Sequence, residues 1–172
     1  MKFVHCADVH LDSPLRGLEA YEGAPVAEMR AATRAAYENV VALCIDEQAD
    51  LLLIAGDLFD GDWPDFNTGL FLVGCLSRLR EAGVRVRIVR GNHDAASVVS
   101  RSLRLPDNTR VLSAKAPESE TFDDLGLVLH GQSFAAAAET DNLAAGFPAG
   151  VPGLVNIGLL HTSLDGREGH EN

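Results

Sequence analysis

Leu51-Leu52-Leu53-Ile54-Ala55-Gly56-Asp57-Leu58-Phe59-Asp60 is an apolar run that ends in a glycine and two carboxylates. Apolar residues without alternation predict a strand buried on both faces, as in a parallel sheet covered by helices. Gly56 permits a tight turn where the strand ends. Asp57 and Asp60 then follow directly on a buried strand, where an unpaired carboxylate is costly. Two readings stand at this point: a solvated turn with Asp as a helix cap, or a site that holds a cation.

Helical and extended patterns alternate on either side of this stretch. Val26, Met29, Ala32, Ala36, Val40, Leu43 and Cys44 recur near helical spacing and predict a long helix over 26–48. A second helix is expected from Asn67 to Glu81, stopping at Gly83. Val84-Arg85-Val86-Arg87-Ile88-Val89 alternates apolar with basic residues, which is strand periodicity, and residues 2–7 read as a first strand. Beyond Pro106 come short strand candidates at 110–113, 120–123 and 126–131. A small helix near 137–145, a surface loop from Gly146 to Gly153 and a last strand from Leu154 to Leu160 follow. This order predicts an α/β core that continues into a second sheet layer.

The strands share a property at their ends. Phe3 to Ala7 leads to Asp8, Leu51 to Gly56 leads to Asp57, Val84 to Gly91 leads to Asn92, and Leu154 to Leu160 leads to His161. Loops at the carboxyl ends of strands in an open α/β sheet converge on one edge, so four scattered segments bring two carboxylates, an amide and an imidazole together there. His10 adds a second imidazole just beyond Asp8. Within Gly91-Asn92-His93-Asp94, turn chemistry accounts for Gly, Asn and Asp but does not call for His.

Composition sets the outer bounds. The 172 residues, 47% apolar and 23% charged, suit one compact domain over 1–172. No apolar run is long enough to cross a bilayer, and the first residues lack a signal-peptide pattern, so a cytoplasmic location without membrane association is expected. Cys6, Cys44 and Cys75 are odd in number and unpaired in spacing, which favours buried thiols over a disulfide framework or zinc knot. The net charge of −11 speaks against gripping nucleic acid by bulk electrostatics. It leaves room for a nucleic-acid enzyme, because metal ligands contribute to that total and a local basic surface can coexist with it.

Together these residues resemble the calcineurin-like metallophosphoesterase superfamily, whose motifs read Asp-x-His, Gly-Asp-x-x-Asp, Gly-Asn-His-Asp/Glu, a later His and a final Gly-His-x-His. The first three stand here in order, with His161 as the fourth. His5-Cys6-Ala7-Asp8-Val9-His10-Leu11-Asp12, Gly56-Asp57-Leu58-Phe59-Asp60 and Leu159-Leu160-His161-Thr162 look like the branch of SbcD-like DNA repair exonucleases. The resemblance implies a calcineurin-like β-sandwich core flanked by helices, in α-β-β-α layers, with the metal site at the C-terminal ends of the strands. No Gly-His-x-His follows His161. Gly169-His170-Glu171-Asn172 has the first two letters but sits too close, and His170 reads as a loop residue. The expectation is that the chain stops before the last motif, lacks the final strands and binds metal incompletely.

What the resemblance implies for the site is a dinuclear centre. Asp8 and His10 would hold one cation, Asn92 and His161 the other, with Asp57 between them. His93 would stabilise the transition state or protonate the leaving oxygen, its ring oriented by Asp60. Oxygen and nitrogen ligands without thiolates suit two divalent ions, Mn²⁺ first and Fe or Zn²⁺ as alternatives. The implied activity is phosphodiester hydrolysis on DNA, with an SbcC-like coiled-coil ATPase and a second copy of the chain as partners. Smaller phosphoesters, or a silent interaction module, are the competing readings. Asp12, Asp62 and Asp65 are read as solvated, with support of the metal ligands from behind as the alternative, and Arg85, Arg87 and Arg90 as a solvent-facing strand side with a phosphate path as the alternative. His5 and His130 are read as core histidines. Trp63 is read either as a base-stacking platform or as a pin for its loop.

Overall fold

A computed structural model of the chain describes residues 1–13, 21–23, 25–60, 66–96 and 103–163. The readings of Asp62, Trp63, Asp65 and His170 lie outside these residues. In chain order the elements are β1 (Phe3–Cys6), α1 (Val26–Asp46), β2 (Leu51–Ala55), α2 (Phe66–Glu81), β3 (Arg85–Val89), α3 (Asn92–Ala96), β4 (Thr109–Val111), β5 (Glu118–Phe122), β6 (Leu127–Gly131) and β7 (Val155–Leu159). Strands β1-β2-β3-β4 form one parallel sheet. A second sheet has the order β5-β6-β7, antiparallel between β5 and β6 and parallel between β6 and β7.

The unbroken apolar run of β2 follows from its position. Leu52 and Ile54 pack into a core shared with Tyr37, Val41 and Cys44 of α1 and Leu72, Leu76 and Leu79 of α2. Leu51, Leu53 and Ala55 point the other way, into a core shared with Leu127 and Leu129 of β6 and Leu159 of β7. Period-two alternation therefore gives one strand two apolar faces, helices on one side and the second sheet on the other.

Helix ends follow local chemistry. α1 stops at Asp46, because Gln48 takes a left-handed φ of 51° and the Ala49 N–H returns to the Cys44 carbonyl at 2.8 Å. α2 ends as expected at Gly83, whose φ of 78° lets Val84 N–H reach the Leu79 carbonyl. The small helix expected over 137–145 is a 3-10 turn at Leu143–Gly146, capped by the Asn142 side chain.

The basic side of β3 does not face solvent. Arg87 is buried, with its guanidinium paired to Glu120 at 2.5 and 2.6 Å and stacked 5.2 Å from the Phe122 ring centre. Arg85 pairs with Asp124 at 2.9 Å through two bonds. The alternation was polar because this face meets Glu118 and Glu120 on the inner face of β5, which runs from Glu118 to Phe122 where a strand over 120–123 was expected. Asp12 is likewise buried rather than solvated. Arg34 and Thr68 both bond its carboxylate, which ties the turn after β1 to α1 and α2. His130 is a satisfied core histidine between Ser119 and Asn156. His5, by contrast, is exposed.

Candidate metal centre

At the carboxyl ends of β1, β2, β3 and β7 lies an open cleft of about 900 Å³. Its walls include Asp8, His10, Asp57, Asn92, His93 and His161, together with His5, Phe134 and Thr162. Six of the seven residues predicted for the site therefore line one cavity. The seventh, Asp60, stands against His93, accepting from its Nδ1 at 2.7 Å.

Backbone conformation places the ligating atoms. Asp8, His10 and Asp57 have φ values of 52°, 45° and 52°, a left-handed region that non-glycine residues seldom occupy. Such conformations persist only where surrounding contacts over-determine them, and they concentrate at functional sites. The contacts here are the Asp8 N–H to the Gly56 carbonyl at 3.1 Å and the His10 N–H to the Asp57 carbonyl at 3.0 Å. The loop after β1 is thus stitched to the loop after β2.

The two glycines of the site are required for space. A Cβ at Gly56, whose φ is 84°, would lie 2.6 Å from His161 Nδ1 and 2.8 Å from the Gly91 nitrogen. A Cβ at Gly91 would overlap the Asp57 carboxylate and come within 2.9 Å of its backbone nitrogen.

Asp57, 3% exposed, is the central group. Its Oδ2 lies 3.4 Å from His161 Nε2 and 3.9 Å from His10 Nε2, and its Oδ1 accepts from the His93 N–H at 3.1 Å. Oxygen and nitrogen atoms of Asp8, Asp57 and His161 lie within 4.8 Å of one another, as do those of His10, Asp60 and His93. His161 Nδ1 is 2.9 Å from the Ala55 carbonyl. A carbonyl only accepts, so Nδ1 carries a proton, and Nε2 is the ring nitrogen that faces the cleft. Nε2 lies 3.1 Å from Asn92 Oδ1 and 3.4 Å from Asp57 Oδ2. Two oxygens and a ring nitrogen that converge at these distances are donor atoms one cation could share. The donor set therefore fits a divalent cation bound by O and N ligands.

Asp94 had no task in the sequence pattern, although it closes the Gly-Asn-His-Asp run. Its carboxylate, 2% exposed, accepts from Leu58, Phe59 and Gly91 N–H at 3.2, 2.9 and 3.1 Å. It clamps the loop bearing Asp57 and Asp60 to the loop bearing Asn92 and His93. Burial pushes its pKa up from the ordinary carboxylate value, opposed by those three backbone donors. The available signal was the single acid closing that motif, for which turn chemistry already offered an explanation.

A family model for calcineurin-like phosphoesterases matches residues 1–160. The chain is 33% identical over 174 residues to the uncharacterized metallophosphoesterase YhaO of Bacillus subtilis, covering 99% of this chain and 43% of that protein. It is 28% identical to the DNA double-strand break repair protein Mre11 of Methanopyrus kandleri, over 96% of this chain and 38% of the other. The SbcD component of the SbcCD nuclease of Rhodobacter capsulatus is 34% identical over 56% of this chain and 22% of its own length. The chain thus spans less than half the length of these relatives. Among the described residues no helix is long and apolar enough to cross a membrane.

Proposed function

This chain belongs to the calcineurin-like phosphoesterase family, and on that premise we propose that it hydrolyses phosphodiester bonds in DNA with two divalent cations. Asp8, His10, Asp57, Asn92 and His161 would hold the cations, with Mn²⁺ the first candidate and Fe or Zn²⁺ the alternatives. When bound, a pair of cations supplies Lewis acidity toward phosphate oxygens and water. The observation that supports the reading is the convergence of Asp57 Oδ2, His161 Nε2 and Asn92 Oδ1, a set of oxygen and nitrogen donors that a divalent cation would fit.

The chain's own residues do the rest. His93 lines the cleft, and its Nδ1–H is held by Asp60, so its Nε2 is the atom available to move a proton. In this reading His93 protonates the leaving oxygen or steadies charge on the phosphoryl oxygens. Asp94 and the two glycines keep the loops at a fixed separation while this happens.

DNA as the substrate is supported by the names of the Mre11 and SbcD relatives. The coiled-coil ATPase partner and self-association expected from the resemblance belong to the same proposal. The net charge of −11 favours a second reading, in which small phosphodiesters are the substrates. The test is release of label from end-labelled linear DNA with Mn²⁺, beside hydrolysis of bis-p-nitrophenyl phosphate. Release of nucleotides that Asp57→Asn abolishes supports the DNA reading, and hydrolysis of the small diester alone supports the second. Neither activity, with metal bound, rejects both.

A further inference from the structure

We infer that Ser13 is a positioning residue for the Asp60–His93 pair, an inference that rests on the roles given to those two residues above. Ser13 Oγ donates to Asp60 Oδ2 at 2.6 Å, while Asp60 Oδ1 accepts from His93 Nδ1 at 2.7 Å. The terminal torsion of an aspartate is broad and roughly two-fold, so a carboxylate held through one oxygen can still turn. Holding both oxygens fixes its plane.

The orientation matters because a second imidazole is close. Asp60 Oδ1 lies 4.0 Å from His10 Nδ1, and the His10 and His93 rings meet edge to face with centres 5.1 Å apart. A carboxylate free to turn can transfer its bond from His93 to His10. His93 would then lose the bond that sets its ring and tautomer. With Oδ2 engaged by Ser13, Oδ1 stays on His93.

Ser13 is itself anchored. It is 9% exposed, and its N–H donates to the His10 carbonyl at 3.1 Å. The preceding residue, Asp12, receives Arg34 and Thr68 on its carboxylate, and its N–H donates to Thr33 Oγ1 at 3.2 Å. The residue before Ser13 is therefore tied to α1 and α2, and the Ser13 hydroxyl reaches His93 through Asp60.

The test uses Ser13→Ala and Ser13→Thr in the full chain. The hydrogen-bonded Nδ1–H of His93 gives a downfield proton resonance, identified by its loss in His93→Ala. Ser13→Ala is expected to shift or broaden that resonance and to lower kcat about tenfold with KM within about twofold. Ser13→Thr is expected to restore both, and calorimetric Mn²⁺ affinity stays within about threefold throughout. An unmoved resonance in Ser13→Ala overturns the proposal, whatever kcat does. If the unmodified chain hydrolyses no phosphodiester while Ser13→Ala still moves the resonance, the phosphoesterase reading fails and the positioning role stands. Should Ser13→Ala not fold, Ser13→Cys, with its weak donor, is read by the same criteria.

Discussion

His161 Nδ1 donates to the carbonyl oxygen of Ala55 at 2.9 Å, which joins the residues just after β7 to the last residue of β2. The bond links the two sheets at the rim of the cleft and fixes the tautomer of the imidazole. Neither partner is close in sequence, and the bond exists only because both sheets end at the same level.

Asp57 Oδ2 faces both His161 and His10, so Asp57→Asn should impair cation binding more than any other single change. The expected loss of Mn²⁺ affinity by calorimetry is about 100-fold or more, because a charged ligand and not merely its support is removed. Asp8→Asn should lose less, since Asp8 is exposed and can be replaced by water. Unaltered Mn²⁺ binding in Asp57→Asn would remove the centre of the proposed site.

Gly91→Ala should separate site geometry from global stability. The added methyl group overlaps the Asp57 carboxylate and must displace either it or the loop. Mn²⁺ affinity is expected to fall at least about tenfold while far-UV circular dichroism stays native, because β3 and β2 remain buried on both faces. Wild-type affinity in this variant would mean that Asp57 does not need the position seen here.

The sheet core and the convergence of the site were legible because both depend on local pattern. The apolar run of β2, the helix stop at Gly83 and the polar residue after each strand can be read residue by residue. Relationships that depend on what packs across could not be. Arg85 and Arg87 gave the alternation of a half-solvated strand, yet their partners are the acids of β5 and the turn after it, which only the sandwich brings opposite. Asp12 looked like a loop acid, and nothing near it in sequence announces Arg34 or Thr68. His5 sits in an apolar run, but β1 lies at the edge of its sheet, where the second sheet leaves that side chain uncovered. The same distance blindness hid Asp94 and Ser13, whose partners lie in other loops.

The Asp12 clamp is expected to matter for stability. Asp12→Ala removes a buried carboxylate that Arg34 and Thr68 both bond, and it frees the turn carrying His10 and Ser13 from the helices. A loss of about 1–3 kcal/mol is expected from urea unfolding, the range for losing hydrogen bonds to a buried charged group whose partner is partly solvated. A change under about 0.5 kcal/mol would show that the turn is held by other contacts.

Acid should weaken the join between the sheets. The Arg87 guanidinium bonded to Glu120 lowers the Glu120 pKa below its ordinary value. A group whose pKa is depressed on folding contributes stability above its unfolded pKa, and that contribution disappears as pH falls through the folded value. The urea midpoint should therefore drop below about pH 4.5, the ordinary range of a glutamate. In Arg87→Gln the drop should be shallower, from a lower starting stability at neutral pH. Parallel acid limbs in the two proteins would assign the pH dependence elsewhere.

Alkali should act through the thiols. Burial pushes Cys6 up to about 12 and Cys44 up to about 11, against an unfolded thiol near about 8.5. A group whose pKa is raised on folding stabilises fully below its unfolded value, and the contribution drains away as pH climbs toward the folded one. Thermal midpoints should then decline from about pH 9 upward, and Cys44→Ala should flatten part of that decline even if its midpoint is lower at every pH. The same protonated state makes the folded thiols poor nucleophiles, so iodoacetamide should label them slowly at about pH 8 and quickly once urea is added. Fast labelling of the native chain at that pH would mean that at least one thiol is ionised and reachable, contrary to its packing among apolar neighbours.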